Sequence, residues 1–268
     1  MATLSWYQND ASVLLRDQAY AFNSKAQLTR WINEARRNIA KRTGCVRRLV
    51  TGQSGFGAGA QPGFAIPGGM QPGALVDNVP ALLNTVANQA TQNSFTTIAG
   101  VERYPFVGFI DPVLRAQYAG CDSVIDVIAC SVNWGGNFRP TLNWMPWDDL
   151  QAWCRSYSNQ TTAYPSVWSV YNDGTQGEIW LFPTPSQIGE MEIDCYCTPK
   201  ALNSDDDFDV IPDGFKEAVK FMAASLAFMT SYRYQEAQMM ERMYLDSIGV
   251  AATARDMGKS PSYYYTSI

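Results

Sequence analysis

Asp205, Asp207 and Asp209 alternate along the chain, and this spacing is the feature of the sequence most suggestive of cation chemistry. An EF-hand loop starting at Asp205 would need Gly at 210 for its sharp turn and Glu at 216 as its bidentate ligand. The chain has Val210 and Lys216 there, so the run reads as a solvated acidic loop ahead of Asp213. Asp148 and Asp149 are adjacent, which points them apart on a helix; they suit the first turn of a helix better than a carboxylate dyad. Gly55 to Gly59 has the look of a phosphate-cradling turn, but no Gly-Lys-Ser/Thr follows it and no helical period begins there. The sequence contains no histidine, which excludes Ser-His-Asp and Cys-His nucleophile systems, histidine metal ligands and histidine pH switches. Its six cysteines, Cys45, Cys121, Cys130, Cys154, Cys195 and Cys197, form no CxxC pair, and Cys195 and Cys197 would share one face of a strand as core residues. The expectation is a protein made in a reducing cytoplasm, with no catalytic residue, cofactor or metal.

What remains is the set of elements that could position a surface for partners. Leu28, Trp31, Ile32, Ala35 and Ile39 recur at helical spacing across Ser24 to Arg42, with Ser24 and Gln27 as a capping box and Gly44 as the stop. Between Lys25 and Arg48 lie eight basic residues against Glu34 alone, about +7, in a chain whose net charge is -5. One reading is a solvated face on which Glu34 bridges Arg30 and Arg37. The other is a contact to an acidic protein surface or to DNA phosphates through Arg30, Arg37 and Lys41.

From Thr51 to Leu75 the chain carries eight glycines and three prolines with hardly any charge, the composition of a flexible loop. Strand signals follow: Phe95 to Ile98, Ser123 to Trp134, Thr141 to Met145, Ser166 to Tyr171, Glu178 to Phe182 and Glu190 to Cys197. Hairpin signals at Trp134 to Asn137 and Asn172 to Gly177 favour an antiparallel meander, interrupted by a short helix from Pro146, at N1, to Ser156. Asp213 is placed to cap a helix with the stripe Phe215, Ala218, Val219, Met222, Leu226 and Met229. Ala237, Met240, Tyr244 and Ile248 continue that stripe, as one kinked helix or a helical hairpin. The longest apolar run, Ala218 to Met229, is far short of the roughly twenty residues a bilayer needs, so no membrane span is expected.

The fold class is therefore α+β: N-terminal and long C-terminal helices forming a helical core, with an inserted antiparallel β-rich region. The segments are 1–50, N-terminal helical; 51–92, Gly/Pro-rich loop; 93–212, β-rich with one short helix; 213–257, C-terminal helix or hairpin; and 258–268, an extended tail. Eight tryptophans favour core or subunit-interface burial, with a carbohydrate-stacking platform as the alternative. The terminal Tyr263-Tyr264-Tyr265 offers amphipathic area that could add to another chain's sheet edge or lie in its groove.

Several runs occur in order along nearly the whole chain: Leu28 to Cys45, Ile110 to Tyr118, Val132 to Gly136, Trp144-Met-Pro-Trp-Asp-Asp-Leu150, Tyr164 to Trp168 and Ile211 to Met229. Together they resemble the head-to-tail adaptor (connector) proteins of tailed bacteriophages, of the podophage type. The resemblance implies a non-enzymatic virion protein of the phage neck, in a homo-oligomeric ring, usually of twelve copies. Such a ring docks beneath the portal protein, holds the tail or nozzle protein, and continues the conduit for genomic DNA. It also implies that the C-terminal extension engages the portal. The corresponding residues here are Ser260, Pro261, Tyr263, Tyr264, Tyr265 and Ile268. The Gly-rich loop maps onto no adaptor role.

Overall fold

A computed structural model describes residues 2–17, 19–20, 23–52, 95–134, 140–156, 163–172 and 177–257. The expected α+β class holds, and the chain divides into two compact units, Met1–Arg47 with Tyr196–Ile268, and Arg48–Cys195. The Thr51 to Leu75 loop beyond Gly52 and the tail after Met257 lie outside the described residues.

Among the described residues the first unit holds four α-helices: α1 (Leu4–Leu15), α2 (Lys25–Thr43), α5 (Lys216–Thr230) and α6 (Tyr234–Met257). Helix α2 is bounded as the sequence predicts. The Ser24 side chain accepts from the Gln27 N–H while the Gln27 side chain accepts from the Ser24 N–H, and Gly44 ends the helix at φ 57°, where a Cβ would press on the Tyr196 ring. Helix α5 packs against the other three. Its buried positions include Ala218, Ala223, Ala224 and Ala227, whose small side chains let neighbouring helices approach closely. Asp213 does not cap it. A 3-10 turn, Asp213–Phe215, precedes α5, Asp213 pairs with Lys216, and Phe215 stands at the N-cap without a side-chain bond. Met229 of the expected stripe is exposed, because the buried face drifts toward the alanines.

The open question of one helix or two resolves as a hairpin. Tyr232 turns the chain at φ 59°, Arg233 N–H donates to Phe228 O at 2.9 Å, and the Ser225 hydroxyl donates to Ala237 O at 3.1 Å across the two helices. Ala237, Tyr244 and Ala251 then carry the buried stripe of α6.

Among the described residues the second unit contains two sheets, ordered β1-β7-β3 and β2-β6-β5-β4. Their strands are β1 (Arg47–Thr51), β2 (Arg103–Pro105), β3 (Cys121–Asn133), β4 (Asn143–Trp144), β5 (Val167–Asn172), β6 (Gly177–Phe182) and β7 (Glu190–Pro199). The chain passes between the units within β1 and β7. A π-helical turn, Phe106–Ile110, leads into α3 (Asp111–Gln117), and α4 (Trp147–Ser156) packs on β5.

The meander reading needs correction: β5 and β6 form the expected hairpin pair, but β4 pairs parallel to β5 and β7 joins the other sheet. Phe95 to Ile98 is not a strand; Thr96 makes an isolated bridge to Glu190, and Thr97 is held by Gly189. Pro146 sits before α4 rather than at N1, its carbonyl accepting from Leu150 N–H at 3.0 Å.

Side chains close the free edge of β1. The Gln117 amide donates to Thr51 O at 2.5 Å and accepts from Thr51 N–H at 3.3 Å, copying a strand neighbour, and the Tyr118 hydroxyl donates to Leu49 O at 2.7 Å. Met191 of β7 holds both ends of the excursion that leaves after Gly52. Gly52 N–H donates to Met191 O at 3.1 Å, and Met191 N–H donates to Phe95 O at 2.8 Å.

Candidate interaction surfaces

The alternating aspartates are consumed by the fold. Asp205 pairs with Lys25 at 2.6 Å. Asp207 accepts from the N–H groups of Asn203 and Ser204 at 2.7 and 2.8 Å, and these backbone bonds hold its carboxyl below the usual range. Asp209 is buried and takes two bonds from Arg36, from Nε at 3.1 Å and Nη2 at 2.6 Å, one from the Tyr7 hydroxyl at 2.6 Å and one from Ile211 N–H at 3.1 Å. Arg36 finishes its fork on Lys200 O at 2.8 Å and Asn33 Oδ1 at 3.0 Å. Burial and the neighbouring Asp209 carboxylate push the Tyr7 phenol far above its ordinary value. The loop is therefore a clasp joining α1, α2 and the chain ahead of α5. Among the described residues no group of three acidic, Cys or His side chains could hold a metal.

Buried thiols follow the same logic: burial raises the Cys130 thiol to about 12, leaving it protonated and a poor nucleophile. Cys195 and Cys197 are both buried on one side of β7, as the spacing predicts.

Of the eight basic residues, Arg36 leaves the surface for the clasp, which sequence spacing did not reveal. Arg30, Arg37 and Lys41 lie exposed on one outward stripe of α2, and among the described residues none of them makes an ion pair. Glu34 shares that stripe but bridges neither Arg30 nor Arg37. The stripe spans about 16 Å at 1.5 Å per residue. The tail residues Ser260, Pro261, Tyr263, Tyr264, Tyr265 and Ile268 lie outside the described residues.

The tryptophans divide. Trp168 is buried and donates to Leu142 O at 3.2 Å, and Trp31, Trp134, Trp147, Trp153 and Trp180 are half-buried. Trp6, at 36%, and Trp144, at 61%, are exposed. Around α4 the aromatic rings gather: Trp147 packs on Trp180 at 4.6 Å and Tyr171 at 5.0 Å, Trp153 on Phe182 at 5.6 Å, and Arg103 stacks 3.9 Å over Trp180. Clefts flank the helix on both sides. Met145, Asp149, Ala152 and Trp153 line one of about 390 Å³; Trp147, Leu150, Gln151, Cys154, Arg155 and Trp180 line one of about 170 Å³.

This surface was missed in the sequence because Trp144 to Leu150 reads as packing residues. The available signal was Trp144 and Met145 ahead of two carboxylates with no basic residue within reach along the helix.

No helix among the described residues is long and apolar enough to cross a membrane. A family model described as SU10 adaptor protein matches residues 2–263. No curated protein matches the chain.

Proposed function

Because the chain belongs to the SU10 adaptor protein family, a family of structural adaptors of the phage virion, we propose that it forms a homo-oligomeric ring of about twelve copies beneath the portal. In this reading the ring continues the channel for genomic DNA and attaches the tail or nozzle protein, with no membrane or cofactor involved. The observation that carries the reading is the match over residues 2–263, which takes in both units and the first part of the tail.

The surface chemistry supports it. Half-buried tryptophans around α4 and an unpaired basic stripe on α2 suit a subunit held between other subunits. The second unit holds five basic and twelve acidic residues, net -7, a balance that lets DNA slide past without sticking. We assign portal engagement to the tail residues Ser260, Pro261, Tyr263, Tyr264, Tyr265 and Ile268. The stripe Arg30, Arg37 and Lys41 we assign to contact with a partner or with the passing DNA.

Mixing the full chain with its portal and imaging by negative stain tests the reading directly. A ring bound coaxially to the portal is the expected result, and deleting Ser260 to Ile268 should weaken binding at least tenfold. A chain that never joins the portal overturns the assignment; undiminished binding by the truncated chain removes the tail from it.

A further inference from the structure

The larger cleft beside α4 has the make-up of a receptor for a long cationic side chain. The cleft, of about 390 Å³, has Trp153, Met145 and Ala152 as its apolar lining and Asp149 as its charged one. Such a site takes the methylene stem of Arg or Lys on the ring and thioether and the charged head on the carboxylate. Asp148 and Asp149 are exposed, and among the described residues neither makes an ion pair. Exposed Trp144 adjoins Met145 at the end of β4, supplying the large aromatic area that anchors protein contacts.

The complementary surface is on the same chain. Arg30, Arg37 and Lys41 project from α2 as an unpaired stripe about 16 Å long, and α4, at ten residues, is about 15 Å long. We propose that the cleft receives Arg37 or Lys41 from the α2 stripe of a second copy of this chain, so that neighbouring protomers meet through an ion pair set on an aromatic floor. An approach of that α2 stripe to the cleft sets Arg37 or Lys41 against Asp149. The pairing then runs from the first unit of one copy to the net -7 unit of the next.

The inference rests on the ring reading and is separable from it. Sedimentation of the full chain, alone and with portal rings, compares wild type with Asp149→Arg, Arg37→Glu and the two together. All substituted positions are exposed, and a thermal melt confirms that each variant folds. Wild-type association should weaken as salt rises; each single reversal should lower it about tenfold, and the double reversal should bring it back to within about threefold of wild type.

Single variants that associate like wild type, or a double variant no better than the singles, overturn the proposal and leave the ring reading standing. Arg37→Glu that loses retention on duplex DNA while associating normally also overturns it, by giving the stripe to DNA. Wild-type chain that self-associates under neither condition overturns both.

Discussion

Replacing Arg36 should cost the first unit more than any other single substitution of a charged residue, because its guanidinium holds the buried clasp together. Four hydrogen bonds leave it: two to Asp209, one to Lys200 O and one to Asn33. Arg36 is 1% exposed and its pair with Asp209 is shielded from water, so the usual discount for a surface ion pair does not apply. Arg36→Met keeps most of the aliphatic stem and removes the charge. Asp209 is then left as a buried carboxylate with only the Tyr7 hydroxyl and Ile211 N–H, and the Lys200 carbonyl loses its donor. Removing one partner of such a pair costs about 3–5 kcal/mol, a large share of the roughly 5–15 kcal/mol a folded domain possesses. Arg36→Ala should cost about 1 kcal/mol more through lost stem packing. The double variant Arg36→Met with Asp209→Leu should recover over half of the single-variant loss, since no uncompensated charge remains. Urea unfolding followed by helical circular dichroism reads these values, with the two units fitted as separate transitions wherever the curve resolves them. A loss below about 1 kcal/mol for Arg36→Met, or a double variant worse than both singles, would refute the view that the pair holds the unit.

Two further outcomes test the second unit. Gly177 is opposed by the buried Phe106 ring, and a Cβ at this position would stand only 2.3 Å from the ring edge; Gly177→Ala should therefore destabilise by about 2 kcal/mol, and adding Phe106→Leu should restore part of it, as thermal melts would show. Asp111 is buried where α3 begins and accepts from Val124 N–H at 2.8 Å; burial raises its carboxyl above the ordinary value despite that bond. The folded chain thus holds this proton to higher pH than the unfolded chain does, so the contribution of Asp111 is most favourable below its unfolded value and is lost as pH rises through its folded one. Asp111→Asn keeps an acceptor for Val124 and removes the charge. Its melting temperature should exceed wild type at pH 7 and the gap should close toward pH 3; a gap that grows on acidification would contradict the assignment.

How much of this was readable beforehand depends on the range over which each residue acts. The capping box at Ser24, the stop at Gly44 and the inward stripe of α2 are local, and the structure reproduces them. Helix α1 escaped notice because its buried face includes Gln8 and Ser12, which break the apolar period; Gln8 is satisfied by donating to Thr29 on α2, a partner no local pattern shows. Strand β1 was hidden by Arg47 and Arg48, and its edge is sealed by Gln117 and Tyr118 from far along the chain. The parallel placing of β4 beside β5 and the transfer of β7 to the other sheet are matters of long-range pairing, which alternation within a strand leaves open. Arg36 looked like one more surface cation because its counter-charge lies 173 residues away. For the candidate surface, the stripe on α2 was legible and the cleft beside α4 was not, since a cavity exists only after Met145 and Trp153 have been brought together.

Met191 is the seam at which the chain leaves and rejoins the sheet. Departure at Gly52 and return at Phe95 are both anchored on one residue, through its C=O and its N–H, so nothing in the ladder measures how many residues come between. Chain length there is an independent variable. Inserting a fluorophore-accepting tag between Gly52 and Phe95 should leave both bonds to Met191 in place. That makes this position the natural place to graft a reporter onto the adaptor without disturbing the frame that carries it.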